Sequence, residues 1–422
     1  MSENSNEFPM VTFRIILVSL TVMFAIFGFL GQKVLEAMNP SFEYQAFLEI
    51  DKENAISFQI EKNALHNYLS IFNGTEEIKV HDFTLTKDSL IFTMPIFYSQ
   101  VKAKIVEDHL EGLWWKNPES SDYTMPFYAY EADKIPTQFD QTPLSTTNKT
   151  DFTGKWESTF SPNTEDQYPA IGEFKHGENN RLTGTFMTET GDYRFLAGKS
   201  KGDEFYLSCF DGSHAFLFKG KKEGEEIKGT FWSGKHWQEP FVAIQNDSIT
   251  LGNPYELTYL KEDHQLVDFV FPNLQGDSIK MSDKQFKDKN LVIQIFGSWC
   301  PNCMDETALY TELHKKYKKN VEFIGVAFEI KGTLEEDKAI LEKYIKHFDI
   351  QYPILYGGKA SKKLASEQFS MLNKIISFPT TIVLNREREI VKIHTGFNGP
   401  ATSVYQSYLE EFENLLKQLA KK

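Results

Sequence analysis

The chain has 422 residues, 41% of them apolar and 25% charged, enough to bury a sizeable core and too many for one ordinary domain of about 100–200 residues. The 45 basic residues against 59 acidic ones leave a net charge of −14, so a polyanion meets general repulsion and no nucleic-acid partner is expected. Three cysteines over this length exclude a disulfide-stapled scaffold and make any close pair of them worth reading as chemistry.

The first element is an almost wholly apolar run from Met10 to Leu30, interrupted by one charge, Arg14. As a helix rising about 1.5 Å per residue it matches a hydrocarbon core of about 30 Å, with Arg14 near enough to one end to snorkel. Residues 10–31 are therefore expected to form a transmembrane anchor. A cleaved signal peptide is the weaker reading, because Ile26 to Lys33 offers no small-residue cleavage pair. No cysteine follows to carry a lipid. The short tail before this run and the long body after it place the bulk of the chain on the exported side.

From residue 41 to about 250 the sequence is rich in β-branched and aromatic residues, cut every ten or so positions by Gly, Asn or Asp, as in AISFQIEK (55–62) and DEFYLSCFDGSHAFLFKG (203–220). This is the pattern of antiparallel strands joined by tight turns, in a sandwich or barrel. An internal duplication divides it into a first half at 41–133 and a second at 151–250. Gly112 to Trp114, then Pro126, Phe127 and Ala129, recur as Gly229 to Trp232, then Pro240, Phe241 and Ala243. The polar, Pro-containing stretch 135–150 reads as the linker between the copies. Within this region Trp114, Trp115, Trp156, Trp232 and Trp237 are read as core filling before pocket lining. His214 and His236 lack metal-ligand spacing, and Cys209, in an alternating strand, is read as a small buried apolar residue.

Chemistry is concentrated after residue 262. A hairpin-like segment (268–281) leads into the apolar strand LVIQIF (291–296), then Gly297, Ser298 and Trp299-Cys300-Pro301-Asn302-Cys303, followed by the helical periodicity of 304–317. A strand that delivers Cys300 to a helix start places its sulfur where unpaired N–H groups and the helix dipole favour a thiolate. Pro301 suits the first helical turn, where its missing N–H costs nothing. Cys303, nearly one turn on, can close an internal disulfide. An inert disulfide or half of a zinc site is the weaker alternative, since neither a second CxxC nor an HxxxH occurs.

GSWCPNC (297–303), its preceding strand and hairpin, and SFPTTIVLNREREIVKIHTGF (377–397) resemble the thioredoxin superfamily, and within it the exported, membrane-tethered TlpA/ResA branch. The resemblance covers about residues 262–422. It implies an α/β fold with a central mixed sheet flanked by helices and closed by a C-terminal helix around 405–420. It also implies that Pro379 is a cis-proline beside the redox disulfide and that Glu306 is the acidic residue this branch carries near its cysteines. On that reading Cys300 is the attacking sulfur, Cys303 resolves the mixed disulfide, and Glu306 relays the proton Cys303 loses. Trp299, Phe378, Pro379 and Thr380 bind substrate, with the backbone of Phe378 and Thr380 aligning an extended strand. The function implied is thiol-disulfide oxidoreduction on the periplasmic side of a bacterial inner membrane, by reduction or exchange rather than dedicated oxidation, because no basic residue stands between the cysteines. Expected partners are disulfide-containing client proteins, an upstream membrane electron donor and the membrane itself; no metal and no cofactor beyond the redox-active disulfide is expected. Two alternatives stand beside this: a thiol peroxidase on the same fold, or a β-region binding module to which the thioredoxin-like domain only docks.

Overall fold

Residues 41–118, 122–139, 150–262 and 268–421 are described by a computed structural model; the apolar run expected to anchor the chain lies outside them. Among the described residues no helix is long and apolar enough to cross a membrane.

Alternating burial builds the first sheet. In AISFQIEK the side chains of Ile56, Phe58 and Ile60 turn into the core, while Ser57, Gln59 and Glu61 are half-buried on the other face. Its nine strands are β1 (Phe42–Glu49), β2 (Ala55–Lys62), β3 (Leu69–Asn73), β4 (Glu76–Val80), β5 (Phe83–Leu85), β6 (Ser89–Thr93), β7 (Gln100–Val106), β8 (His109–Trp115) and β9 (Thr124–Tyr130). They form an antiparallel meander in the order β4-β3-β2-β1-β9-β8-β7-β6-β5.

The second sheet comprises β10 (Gly154–Phe160), β11 (Tyr168–His176), β12 (Arg181–Thr188), β13 (Gly191–Asp192), β14 (Leu196–Lys201), β15 (Glu204–Phe210), β16 (Ala215–Glu223), β17 (Glu226–Ser233) and β18 (Trp237–Gln245). Because β11 pairs with both β10 and β12, eight of these strands close into an up-and-down barrel, and the two-residue β13 hangs from β12 as a flap. Rings fill the interior: Phe160 packs against Phe186, Phe218, Phe231 and Phe241 at centroid distances of 5.3–6.3 Å. Strands β15 and β16 serve two cores by their alternation. Leu207, Cys209, Phe216 and Phe218 point into the barrel, while Phe210, Ala215 and Leu217 complete the core of the first sheet.

The duplicated segments occupy equivalent hairpins in the same register. Gly112 stands opposite Phe127 in β8–β9, and Gly229 opposite Phe241 in β17–β18. A Cβ on Gly229 would lie 2.2 Å from the Phe241 ring, which is why a side chain is missing there.

The C-terminal region pairs a short hairpin, β19 (Val270–Pro272) with β20 (Ser278–Lys280), beside a five-stranded sheet of β21 (Asn290–Phe296), β22 (Val321–Glu329), β23 (Ile354–Lys359), β24 (Thr380–Leu384) and β25 (Ile390–Thr395). The order is β23-β22-β21-β24-β25, parallel in the first two pairings and antiparallel in the last two. Helices α1 (Pro301–Tyr317), α2 (Leu334–Phe348), α3 (Lys362–Gln368) and α4 (Tyr405–Lys421) complete it. The fold is a thioredoxin-like α/β domain preceded by an all-β region. Every residue of β21 is buried, as a central strand covered on both faces requires, and its C-terminal end delivers the cysteines.

Candidate active site

Cys300 is the N-cap of α1. Its backbone is extended (φ −103°, ψ 109°), Pro301 takes the first helical position, and the Cys300 sulfur accepts the Cys303 backbone N–H at 3.2 Å. The two cysteines are joined as a disulfide with a Cα–Cα separation of 5.2 Å. Cys300 is 6% exposed and Cys303 fully buried, so an incoming sulfur reaches Cys300 first. Phe378 and Pro379 are joined by a cis peptide bond, and the Phe378 carbonyl oxygen lies 3.5 Å from the Cys300 sulfur. Trp299 is pinned by its indole N–H donating to the Phe328 carbonyl at 2.8 Å, and its ring meets Phe378 edge-on with centroids 5.7 Å apart.

One expected substrate residue is placed elsewhere. Thr380 opens β24 opposite Ile295 and Thr395, is fully buried, and turns its hydroxyl to the Ser377 carbonyl. Its backbone belongs to the sheet interior, so the cleft beside Cys300 is lined by Ser377 and Phe378. Pro379 is likewise buried behind them, its carbonyl accepting from the Gly396 N–H at 2.9 Å.

Glu306 sits on the inner face of α1, fully buried, where Gln294, Tyr310 and Thr381 each donate to its carboxyl group at 2.9 Å. Burial pushes its pKa up to about 7 against the pull of these donors. The Gln294 amide also donates to the Cys303 carbonyl at 3.3 Å, linking the carboxyl group to the second cysteine's backbone. Glu329, at the end of β22, accepts from the Ser298 N–H at 2.8 Å and hydroxyl at 2.7 Å, and burial raises it too to about 7. Among the described residues no group of three or more His, Cys, Asp or Glu is arranged to hold a metal.

The barrel forms the remaining wall. Flap residue Gly191 bridges Phe397, and the Thr190 carbonyl accepts from the Ser377 hydroxyl at 3.0 Å. The Asn302 amide, between the cysteines, donates to the Asp192 carbonyl at 3.2 Å and to the Phe397 carbonyl at 3.1 Å. On the other side Asp211 accepts from the His214 ring at 3.2 Å, and Ser213 donates to the Trp299 carbonyl at 3.5 Å. Burial pushes the Asp211 pKa up, but His214 and Arg194 together hold it below the usual carboxylate range. Arg194 ties the regions together: its guanidinium pairs with Glu76 of the first sheet and with Asp305 of α1.

Gln294, Tyr310 and Glu329 were not singled out by sequence reasoning. Gln294 carried a signal, as the one polar residue after Asn290 in an otherwise apolar strand. The barrel residues at the cleft carried none: Ser213 and Asp192 stand 86 and 110 residues before Trp299 and Asn302, the residues they bond.

The family model described as Redoxin matches residues 261–409. The chain is 28% identical to the thiol-disulfide oxidoreductase ResA of Halalkalibacterium halodurans over 154 residues, 36% of this chain and 76% of that protein. It is 26% identical to the thioredoxin-like protein YneN of Bacillus subtilis over 168 residues, 38% of this chain and 91% of that one. A solved thiol-disulfide oxidoreductase from Bacteroides fragilis NCTC 9343 is similar at 23% identity and a TM-score of 0.28, covering 35% of this chain and 99% of its own. With the cysteine pair and fold above, the family match and the two relatives place the C-terminal part of this chain in the thioredoxin superfamily, as a ResA-like redoxin domain and a thiol-disulfide oxidoreductase.

Proposed function

We propose that the chain is an exported, membrane-anchored oxidoreductase that reduces or exchanges disulfides in exported client proteins through Cys300 and Cys303. The observation that carries this reading is the Cys300 sulfur at the N-cap of α1, taking the Cys303 N–H and facing an open cleft. That N–H and the helix dipole favour a thiolate. In the dithiol form the Cys300 thiolate attacks one client sulfur, and the other client sulfur leaves and takes a proton. Cys303 then loses its proton and attacks the Cys300 sulfur, expelling the second client thiolate and closing the internal disulfide. Two electrons pass to the client, and a dithiol donor at the membrane returns them. Glu306, one turn after Cys303 and poised near neutrality by burial, is the group we assign to take the Cys303 proton. With an asparagine and a proline between the cysteines, nothing cationic adds to the thiolate stabilisation there, which favours reduction or exchange over dedicated oxidation.

Residues 10–31 tether the chain, and the catalytic part works outside the cytosol. The test is a Cys303→Ser variant, which leaves the first step intact and removes the second. It is expected to accumulate mixed disulfides through Cys300 in the exported compartment, reversed by reductant and abolished by adding Cys300→Ser. Equal trapping after Cys300 is replaced would overturn the assignment of the nucleophile.

A further inference from the structure

The barrel interior is packed with rings, so no ligand enters it. Its rim is different, for it stands over the reactive sulfur. Between barrel and thioredoxin-like domain lies a cleft of about 540 Å³ in which Tyr168, Tyr193 and Phe216 of the barrel face Trp299, Phe378 and Cys300. That volume falls within the usual range of about 300–1,000 Å³ for a ligand site, and it is small for the surface of a folded protein.

Tyr168, Tyr193 and Phe216 line this rim, and bonds among their neighbours hold it in place. The Tyr168 hydroxyl bonds the Tyr193 hydroxyl at 2.7 Å and donates to Glu239 at 2.8 Å. His214 stacks on Phe216 with centroids 4.5 Å apart, and Asp211 fixes it by accepting from its ring and its backbone N–H. The flap at Thr190–Asp192 closes one side and the loop at Asp211–His214 the other. A client sulfur bonded to Cys300 therefore brings its own neighbours in sequence against this wall, since an extended chain advances only about 3.3 Å per residue.

Resting on the oxidoreductase reading above, we infer that the barrel rim is a substrate subsite. It takes the side chain next to the attacked cysteine of an extended, disulfide-bearing polypeptide, and it selects aromatic or large apolar side chains there. The β region is then a specificity-determining part of the active site. Disulfides held rigidly inside folded proteins are excluded, because the rim blocks their approach to Cys300.

The experiment uses the full chain, reduced, with symmetrical disulfides of two short peptides that carry Phe or Ala immediately before the cysteine. Hydroxyethyl disulfide serves as a small substrate without side chains. The Phe peptide is expected to be reduced with a kcat/KM about tenfold above the Ala peptide, the scale on which an apolar pocket discriminates. His214→Ala and the conservative Phe216→Leu are expected to bring that ratio below about threefold. The ratio is taken within each variant, so a general loss of active protein cancels. Reduction of hydroxyethyl disulfide with no preference between the peptides overturns the subsite and leaves the oxidoreductase reading standing, as does a full ratio in both variants. Failure to reduce all three substrates overturns that reading and the subsite with it.

Discussion

Glu306 shows how much a single buried carboxyl group can couple. It has no cation beside it, only the amide of Gln294 and the hydroxyls of Tyr310 and Thr381, and burial carries its pKa from 4.5 to about 7. A shift of that size corresponds to about 3 kcal/mol in favour of the neutral form. The raised folded-state value means that the group favours the folded state at acid pH, and that this contribution is lost as pH rises through about 7. Glu306→Gln is expected to flatten the dependence of stability on pH between about 4.5 and 7, read as the denaturant midpoint across that range. It should also remove an inflection near pH 7 from the rate of disulfide reduction; an unchanged profile would remove Glu306 from the proton path. Glu306 was marked by the resemblance, as the acidic residue three positions after Cys303. What places it in the dark interior is the register of α1 against β21 and β24, which no local pattern encodes. Cys209 was easier, since strict alternation in YLSCF put it inside the barrel, where burial raises its thiol pKa well above normal.

Among the elements, the legible ones are those whose partners are close in sequence. The strand of 291–296, the helix after Cys300 and the hairpin of 268–281 follow from apolar runs, a helix-start proline and turn residues, and they sit on β21, α1 and β19–β20. The duplicated Gly and Pro-Phe-x-Ala segments mark matching hairpins, each with its glycine opposite a phenylalanine; a side chain is barred at Gly112 by the backbone of Lys102 and at Gly229 by the Phe241 ring. Flap β13 was not legible: two residues give no periodicity, and its partners are Asn302, Ser377 and Phe397, all more than 90 residues away. Asn302→Ala removes the amide that joins flap to helix and leaves the Asp192 side chain and two carbonyls short of a donor. We expect a loss of about 1–3 kcal/mol in denaturant unfolding. A change within error would mean that the Asn302 amide contributes nothing to holding the flap.

For the whole molecule, the expectation of a thioredoxin-like domain behind an all-β region agrees with the structure, whereas the relation between the two was unreadable. Nothing in the composition of 41–250 says that one barrel closes on the active site, because the bonds that bring it there run from Arg194 to Glu76 and Asp305, and from Asn302 to Asp192. These join three regions of the chain into one arrangement around Cys300. Charge paired this way and removed from water costs several kcal/mol if one partner is lost, so Arg194 resists any independent movement of the barrel. One pair of sulfurs, served by the whole chain, exchanges electrons with an outside disulfide. The direct measurement is to mix the reduced full chain with one equivalent of hydroxyethyl disulfide, alkylate under denaturing conditions and map the cysteines by mass spectrometry. Two of the three thiols should disappear together as a Cys300–Cys303 disulfide, with Cys209 alkylated and two molecules of mercaptoethanol released. No consumption of the reagent, or a bridge that includes Cys209, would contradict the assignment.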